Sequence, residues 1–284
     1  MSRPGTAPGG GPGEELRRAA EAGRPEVTHW YGPVGRKAAA LATAVGHRVG
    51  AQPALVIVLA VGVAVAFLMS FLVARVYDAV TEDDGIASLD MPLLEAAIRL
   101  RTPWLDGFAA GVAYLFGPIG MPCMAVASIV VLTLARRSRT PLILIAGAGV
   151  GSLLMTIGGK DIIGRNRPPL ADAVPPFEYS PSFPSGHALN ATVVAGVVGY
   201  LLWLHRRALV ARVLCVAVPV VIAVVVGLTR VLLGAHWFTD VVAAWLLGAG
   251  WLALVVTAHR LYLTARERGA PEGPQPRGRT PVTR

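Results

Sequence analysis

Charge is scarce in this chain. Only 15% of its 284 residues are Asp, Glu, Lys or Arg, while 54% are hydrophobic, and that balance excludes an ordinary soluble domain of this length. Cysteine is nearly absent. Cys123 and Cys215 lie alone in separate apolar runs, where cysteine behaves as a small hydrophobe, so neither a disulfide framework nor a zinc site is supported. Acids are the rarer charge, 17 against 26 bases, and no carboxylate cluster suited to magnesium occurs. Internal repeats are also missing.

Long apolar runs are what the chain has, at a mean hydropathy of +0.57. Six segments approach or exceed the length that crosses hydrocarbon: 54–74, 107–135, 140–159, 187–204, 211–230 and 238–258. The expected fold is all-α, a bundle of six transmembrane helices over 51–262. A disordered or interfacial tail (1–50) precedes it and a disordered tail (263–284) follows, because sequence rich in Gly, Pro, Arg and Glu cannot bury a core. The first run exceeds a typical signal-peptide apolar region and reads as an uncleaved anchor, with no leader needed. Smaller features are Pro118 and Pro122, expected to kink the second span, and Gly147 with Gly151, a small-xxx-small face. Residues 89–100 are expected to form an amphipathic helix on the outer surface.

Basic residues set the orientation. Seven precede the first span, Arg136, Arg137 and Arg139 follow the second, Arg206, Arg207 and Arg212 follow the fourth, and six follow the last. With six crossings these nineteen share one side, so the positive-inside rule makes a multi-pass cell-membrane protein with both termini cytoplasmic. The net charge of +9 then marks topology and attraction to anionic inner-leaflet lipid, and calls for no nucleic-acid partner. His29, His47, His205 and His259 fall on the cytoplasmic side as interfacial residues.

The remaining polar residues collect at the opposite ends of the spans. Lys160, Arg165 and Arg167 follow the third, Pro184-Ser185-Gly186-His187 opens the fourth, Thr229-Arg230 ends the fifth, and His236 with Asp240 opens the sixth. Singly, each reads as a snorkelling cation or a helix cap. Converging on one membrane face they read as functional, because polar groups at membrane depth are costly. His236 and Asp240 are spaced i and i+4 on one helix face, so the carboxylate can hold one imidazole nitrogen and free the other as a nucleophile. Gly186 lets backbone N–H groups approach an anion at a helix N-terminus. His187 suits a general acid, and Lys160, Arg167 and Arg230 suit an anion whose charge spreads over several oxygens.

Lys160-x6-Arg167-Pro168, Pro184-Ser185-Gly186-His187 and Thr229-Arg230-x5-His236-x3-Asp240 together resemble the three-part signature of the type 2 phosphatidic acid phosphatase superfamily. That family includes lipid phosphate phosphatases and vanadium haloperoxidases. Thr229 departs from its usual serine but keeps the hydroxyl. The resemblance implies a phosphohistidine intermediate on His236, with Asp240 orienting it and His187 protonating the leaving group. It implies a phosphate pocket of Lys160, Arg167, Arg230, Ser185 and the Gly186 backbone, and hydrolysis without metal or cofactor. The implied activity is an extracytoplasmic lipid phosphate phosphatase with a bell-shaped pH dependence. Its candidate substrates are phosphatidic acid, phosphatidylglycerol phosphate and a polyprenyl diphosphate such as undecaprenyl diphosphate. Alternatives are a vanadate-dependent haloperoxidase-like enzyme and a non-catalytic lipid-phosphate binder or transporter.

Overall fold

A computed structural model describes residues 52–82 and 84–268; the expected tail 1–50, with His29 and His47, lies outside them, as does the expected tail 263–284 from 269 onward, while its first residues, 263–268, continue the last helix. The described residues are helical, without a strand. Helix α1 is Gln52–Glu82 and, after a 3₁₀ turn, α2 is Asp90–Leu100; α3 is Pro103–Leu115 and α4 is Gly120–Arg136. Helix α5 is Thr140–Ile163, α6 is Gly186–Trp203, α7 is Leu209–Leu232 and α8 is Phe238–Arg268. Five of these (α1 and α5 to α8) are long and apolar enough to cross a membrane, and α3 with α4 makes a sixth if the bent pair is one span.

That pair is the expected second span, broken rather than gently kinked. Pro118 has no N–H and restricts Gly117 before it, so the helix stops at Leu115 and restarts at Gly120 with a bend of 56°. Gly117 is needed here, since a Cβ would stand 2.6 Å from the Ala113 carbonyl oxygen and 3.3 Å from His187 Nε2. Local rules set other boundaries too. Thr102 caps α3 by accepting from Leu105 N–H at 3.2 Å with Pro103 behind it, and α5 ends where Gly164 takes a left-handed φ of 62°.

Helix α6 is the centre of the bundle. Its residues Leu189, Val193, Val197 and Leu201 are fully buried, packed with Ile145 of α5 and Val241 of α8. A helix covered on every side shows no polar face, which is why its sequence is apolar throughout. By contrast, the large side chains of α7, such as Val210, Val213 and Val221, stand exposed on the outer surface, as lipid-facing residues do. In hydrocarbon such helices gain nothing from hiding apolar groups, so close packing and polar contacts hold them. Ser152 donates to Asn190 at 2.6 Å and Asn190 to the Gly186 carbonyl at 2.8 Å, tying α5 to the start of α6.

Two expectations need correction. Gly151 does admit a neighbour, since a Cβ there would lie 2.3 Å from the Trp251 ring, but Gly147 faces open space, so the small-residue face is one glycine and not a pair. Helix α2 forms where an amphipathic helix was expected, yet Asp90, Leu94 and Ala97 are buried. It packs inward and reaches the polar cluster.

Candidate active site

The C-terminal ends of α5 and α7, the N-terminal ends of α6 and α8, and the 164–185 strap meet at one place. Helix α6 begins with Ser185 at its cap and Gly186 in its first turn. A Cβ on Gly186 would come within 2.8 Å of the Thr156 methyl, so glycine permits this approach of α5 and α6. The Ser185 side chain makes no cap bond; its hydroxyl is buried and unpartnered. Arg230, in the last turn of α7, is fully buried, with Nε and Nη1 also unpartnered. Buried donors without acceptors are expensive. Left open, they suit an anion.

His236 precedes α8 by two residues, so it and Asp240 flank the helix start instead of sharing regular turns. Both are fully buried. His236 Nδ1 lies 3.4 Å from Asp240 Oδ2, which also accepts from Trp237 N–H at 2.9 Å and from the Ser182 hydroxyl. On the other edge, Arg167 Nη1 donates to Nε2 at 3.2 Å. Nδ1 therefore carries the proton and Nε2 the lone pair. Burial lowers the His236 pKa to about 4; the bond to Asp240 opposes this and the Arg167 guanidinium adds to it. The ring is neutral at physiological pH.

His187 is fixed by the broken span. Because α3 ends at Leu115, the Ala113 carbonyl is among its orphan acceptors, and His187 Nε2 donates to it at 3.2 Å. Nδ1 is left facing the cluster, where any proton it carries can be delivered. Lys160 and Arg167 grip the strap: Lys160 Nζ donates to Ser180 Oγ at 2.6 Å, and Arg167 Nε to the Ser180 carbonyl at 2.6 Å. The Thr229 hydroxyl donates to the Val226 carbonyl at 2.8 Å. It is committed within its own helix.

Sequence reasoning missed four groups. Glu178 reaches into the middle of the cluster, its carboxylate bonded to Arg230 and to Arg167 Nη2 at 2.8 Å. Burial works against its charge, yet Arg230, His236, His187 and Arg167 hold it down at about 2. Ser182 joins Asp240, as above. Arg165, read as one more cation, serves carboxylates instead, donating to Asp240 Oδ1 at 2.6 Å and to Asp90 Oδ2 at 2.7 Å. Asp90, from the far end of the chain, also accepts from Thr239 N–H at 2.9 Å and from the Thr239 hydroxyl at 2.6 Å. Only folding brings these loop and α2 residues near the motifs.

Asp90 thereby caps α8 and balances Arg165, which would otherwise draw Asp240 away from His236. Asp90→Asn keeps an acceptor for Thr239 and removes the charge. The expected result is a ~10-fold fall in kcat with KM within about twofold and an unchanged melting temperature. Asp90→Ala also loses the cap, about 1 kcal/mol, and melts earlier. Equal losses of stability in both variants would reduce Asp90 to a cap.

All eight expected site residues lie in or beside this cluster. The arrangement can hold an anion between Arg167, Arg230 and Ser185, attack it from one side with an imidazole, and protonate a leaving group from the other. Three comparisons bear on it. A family model described as the PAP2 superfamily matches residues 140–262. Over 196 residues the chain is 33% identical to phosphatidylglycerophosphatase B of Bacillus subtilis (strain 168), an alignment taking in 63% of this chain and 87% of that protein. The crystal structure of a transmembrane PAP2-type phosphatidylglycerolphosphate phosphatase from Bacillus subtilis aligns with a TM-score of 0.61 at 27% identity. It covers 72% of this chain and 98% of the other.

Proposed function

The chain belongs to the PAP2 superfamily, is a multi-pass membrane protein and a lipid phosphate phosphatase, and from that premise we propose its reaction and its substrate. It removes the terminal phosphate of a phosphomonoester lipid through a phosphohistidine, without metal. The observation that carries this is the buried cluster in which Arg230 Nε and Nη1 and the Ser185 hydroxyl have no partner, together with a His236 Nε2 that keeps its lone pair and accepts only from Arg167. Phosphatidylglycerol phosphate is the first candidate, since the 33% identical relative is called a phosphatidylglycerophosphatase.

In the first step His236 Nε2 attacks phosphorus and the bond from phosphorus to the lipid oxygen breaks. His187, protonated on both ring nitrogens in the complex with the phosphate dianion, gives its Nδ1 proton to that oxygen and becomes neutral, and the lipid alcohol leaves. His187 then takes a proton from water, whose oxygen attacks the phosphohistidine; the N–P bond breaks and inorganic phosphate departs. Arg167 and Arg230 neutralise the charge on the equatorial oxygens in both steps, with Lys160, held on Ser180, adding to the field. On the charge pattern of the loops, the cluster opens on the extracytoplasmic face and both termini are cytoplasmic.

A panel of phosphatidylglycerol phosphate, phosphatidic acid, lysophosphatidic acid and a long polyprenyl diphosphate, compared by kcat/KM in detergent with EDTA present, tests this. Phosphatidylglycerol phosphate is expected to be cleaved best and EDTA to have no effect. Loss of release on chelation sinks the metal-free route, and a diphosphate preferred by ten times or more sinks the substrate assignment.

A further inference from the structure

Glu178 sits where the substrate's phosphate has to sit. One carboxylate oxygen, Oε1, is bonded to Arg230 and lies 3.4 Å from His187 Nδ1; the other, Oε2, is 2.8 Å from Arg167 Nη2 and 3.8 Å from His236 Nε2. For Nε2 to attack phosphorus and Nδ1 to protonate what leaves, a phosphoryl group must stand between the same four side chains. The protein's own carboxylate fills that position.

It fills it incompletely. A carboxylate brings two oxygens and one charge, and Nε and Nη1 of the Arg230 bonded to it stay unpartnered, as does the Ser185 hydroxyl at the start of α6. A phosphomonoester dianion brings three terminal oxygens and up to two charges, enough to engage what Glu178 leaves open. A phosphodiester brings two terminal oxygens and one charge, the same as the carboxylate it would replace. Exchange for a diester therefore gains no contact and no charge, while moving Glu178 away from the guanidiniums costs ion-pair energy.

We propose that Glu178 sets the charge a headgroup must carry, occupying the phosphoryl position so that a dianionic phosphate displaces it and the monoanionic phosphodiester lipids of the surrounding bilayer do not. The inference rests on the phosphate-pocket reading above. It also answers a difficulty of location, because a site at headgroup level meets phosphodiester lipids in large excess over any phosphomonoester. Rejection of the abundant competitor needs a repulsive element as well as attraction to the right ligand. Glu178 has somewhere to withdraw: its side chain is 21% exposed where those of Arg230 and His236 are not. It lines a cavity of about 270 Å³ formed with Arg165, Tyr179, Pro181 and Gly234.

The test is calorimetric binding of inorganic phosphate and of dimethyl phosphate at pH 8 to the full-length protein in detergent, as wild type, Glu178→Gln and Glu178→Asp. Wild type is expected to prefer inorganic phosphate by at least ~30-fold. In Glu178→Gln the cost of displacing the carboxylate is removed for both ligands alike, so both tighten by at least ~10-fold with the preference kept, and dimethyl phosphate now binds where the wild type leaves it largely out. Glu178→Asp keeps the charge but withdraws it by one methylene, which guards against loss of fold in the amide variant, and falls between. Affinities for both ligands unchanged across the three proteins overturn the role of Glu178 alone. Absence of phosphate binding in all three overturns the pocket itself, and this inference with it.

Discussion

His236→Ala is expected to lower phosphate release by at least ~10⁴-fold while the protein still folds. The size follows from the lack of a substitute among the groups described. His187 commits Nε2 to the Ala113 carbonyl and needs Nδ1 for the leaving group, and the remaining contacts of the cluster come from cations, hydroxyls and carboxylates. Loss of the ring also strands Asp240, whose bonds to Ser182, Trp237 and Arg165 then orient nothing. The neutral imidazole, with its pKa held at about 4, places the acid-side loss of activity belonging to this residue near that pH, where protonation removes the lone pair. Two measurements decide the matter: kcat on a phosphomonoester lipid in detergent, and label retained on the protein after acid-free quenching of a ³²P-labelled substrate. Wild type should carry label on His236 and the alanine variant none. A variant keeping more than about a hundredth of the rate would rule out the covalent route.

Arg230→Lys is expected to cost ~10²- to 10³-fold in kcat/KM, and Arg230→Ala about tenfold more. Both the wild-type and lysine side chains are cationic, so the first loss isolates geometry. The guanidinium is fully buried, spends Nη2 on Glu178, and keeps Nε and Nη1 in one rigid plane without partners. Those two donors cost the resting protein desolvation energy, about 1–3 kcal/mol for each unmet group, and are repaid only when an anion's oxygens arrive. A lysine offers one ammonium and cannot supply that fork. Because the wild-type arrangement is already under-satisfied, Arg230→Lys should melt no earlier than wild type in a detergent thermal scan, whereas a packing residue would show parallel losses. A kcat/KM change below about threefold, or one that tracks a lowered melting temperature, would make Arg230 a structural cation.

Much of this was legible before the fold was seen. Five of the six apolar segments are found as single helices, and the second as the broken pair α3 and α4, because uniform hydrophobicity over seventeen or more residues admits few alternatives in hydrocarbon. The motif residues converge because alternating crossings send every second helix end to the same face. What could not be read is what depends on irregular backbone. Glu178 and Ser182 lie on a strap whose path is set by contacts such as Ser182 N–H to the Arg165 carbonyl at 2.8 Å and Val174 N–H to the Leu233 carbonyl at 2.9 Å, which no periodicity encodes. Asp90 was visible only as one residue of the expected amphipathic helix 89–100, and its reach to Thr239, 149 positions away, is a product of tertiary packing. Serine at a helix start reads as a cap by residue type alone. At Ser185 the hydroxyl stays unpartnered instead.

The break between α3 and α4 bears on how the protein is made. Thirteen residues in one half and seventeen in the other rise about 20 and 26 Å, each short of a hydrocarbon core of about 30 Å. Neither half is a stable product for the insertion machinery to release, so the two have to enter as one unit. A nascent chain in which the pair failed to cross would deliver every later helix inverted, with the motif arginines and histidines in the wrong compartment. Arg136, Arg137 and Arg139 stand directly behind the second half. On the proposed orientation they act as a check on biogenesis, since they stay on the cytoplasmic side and hold the C-terminal end of the pair there.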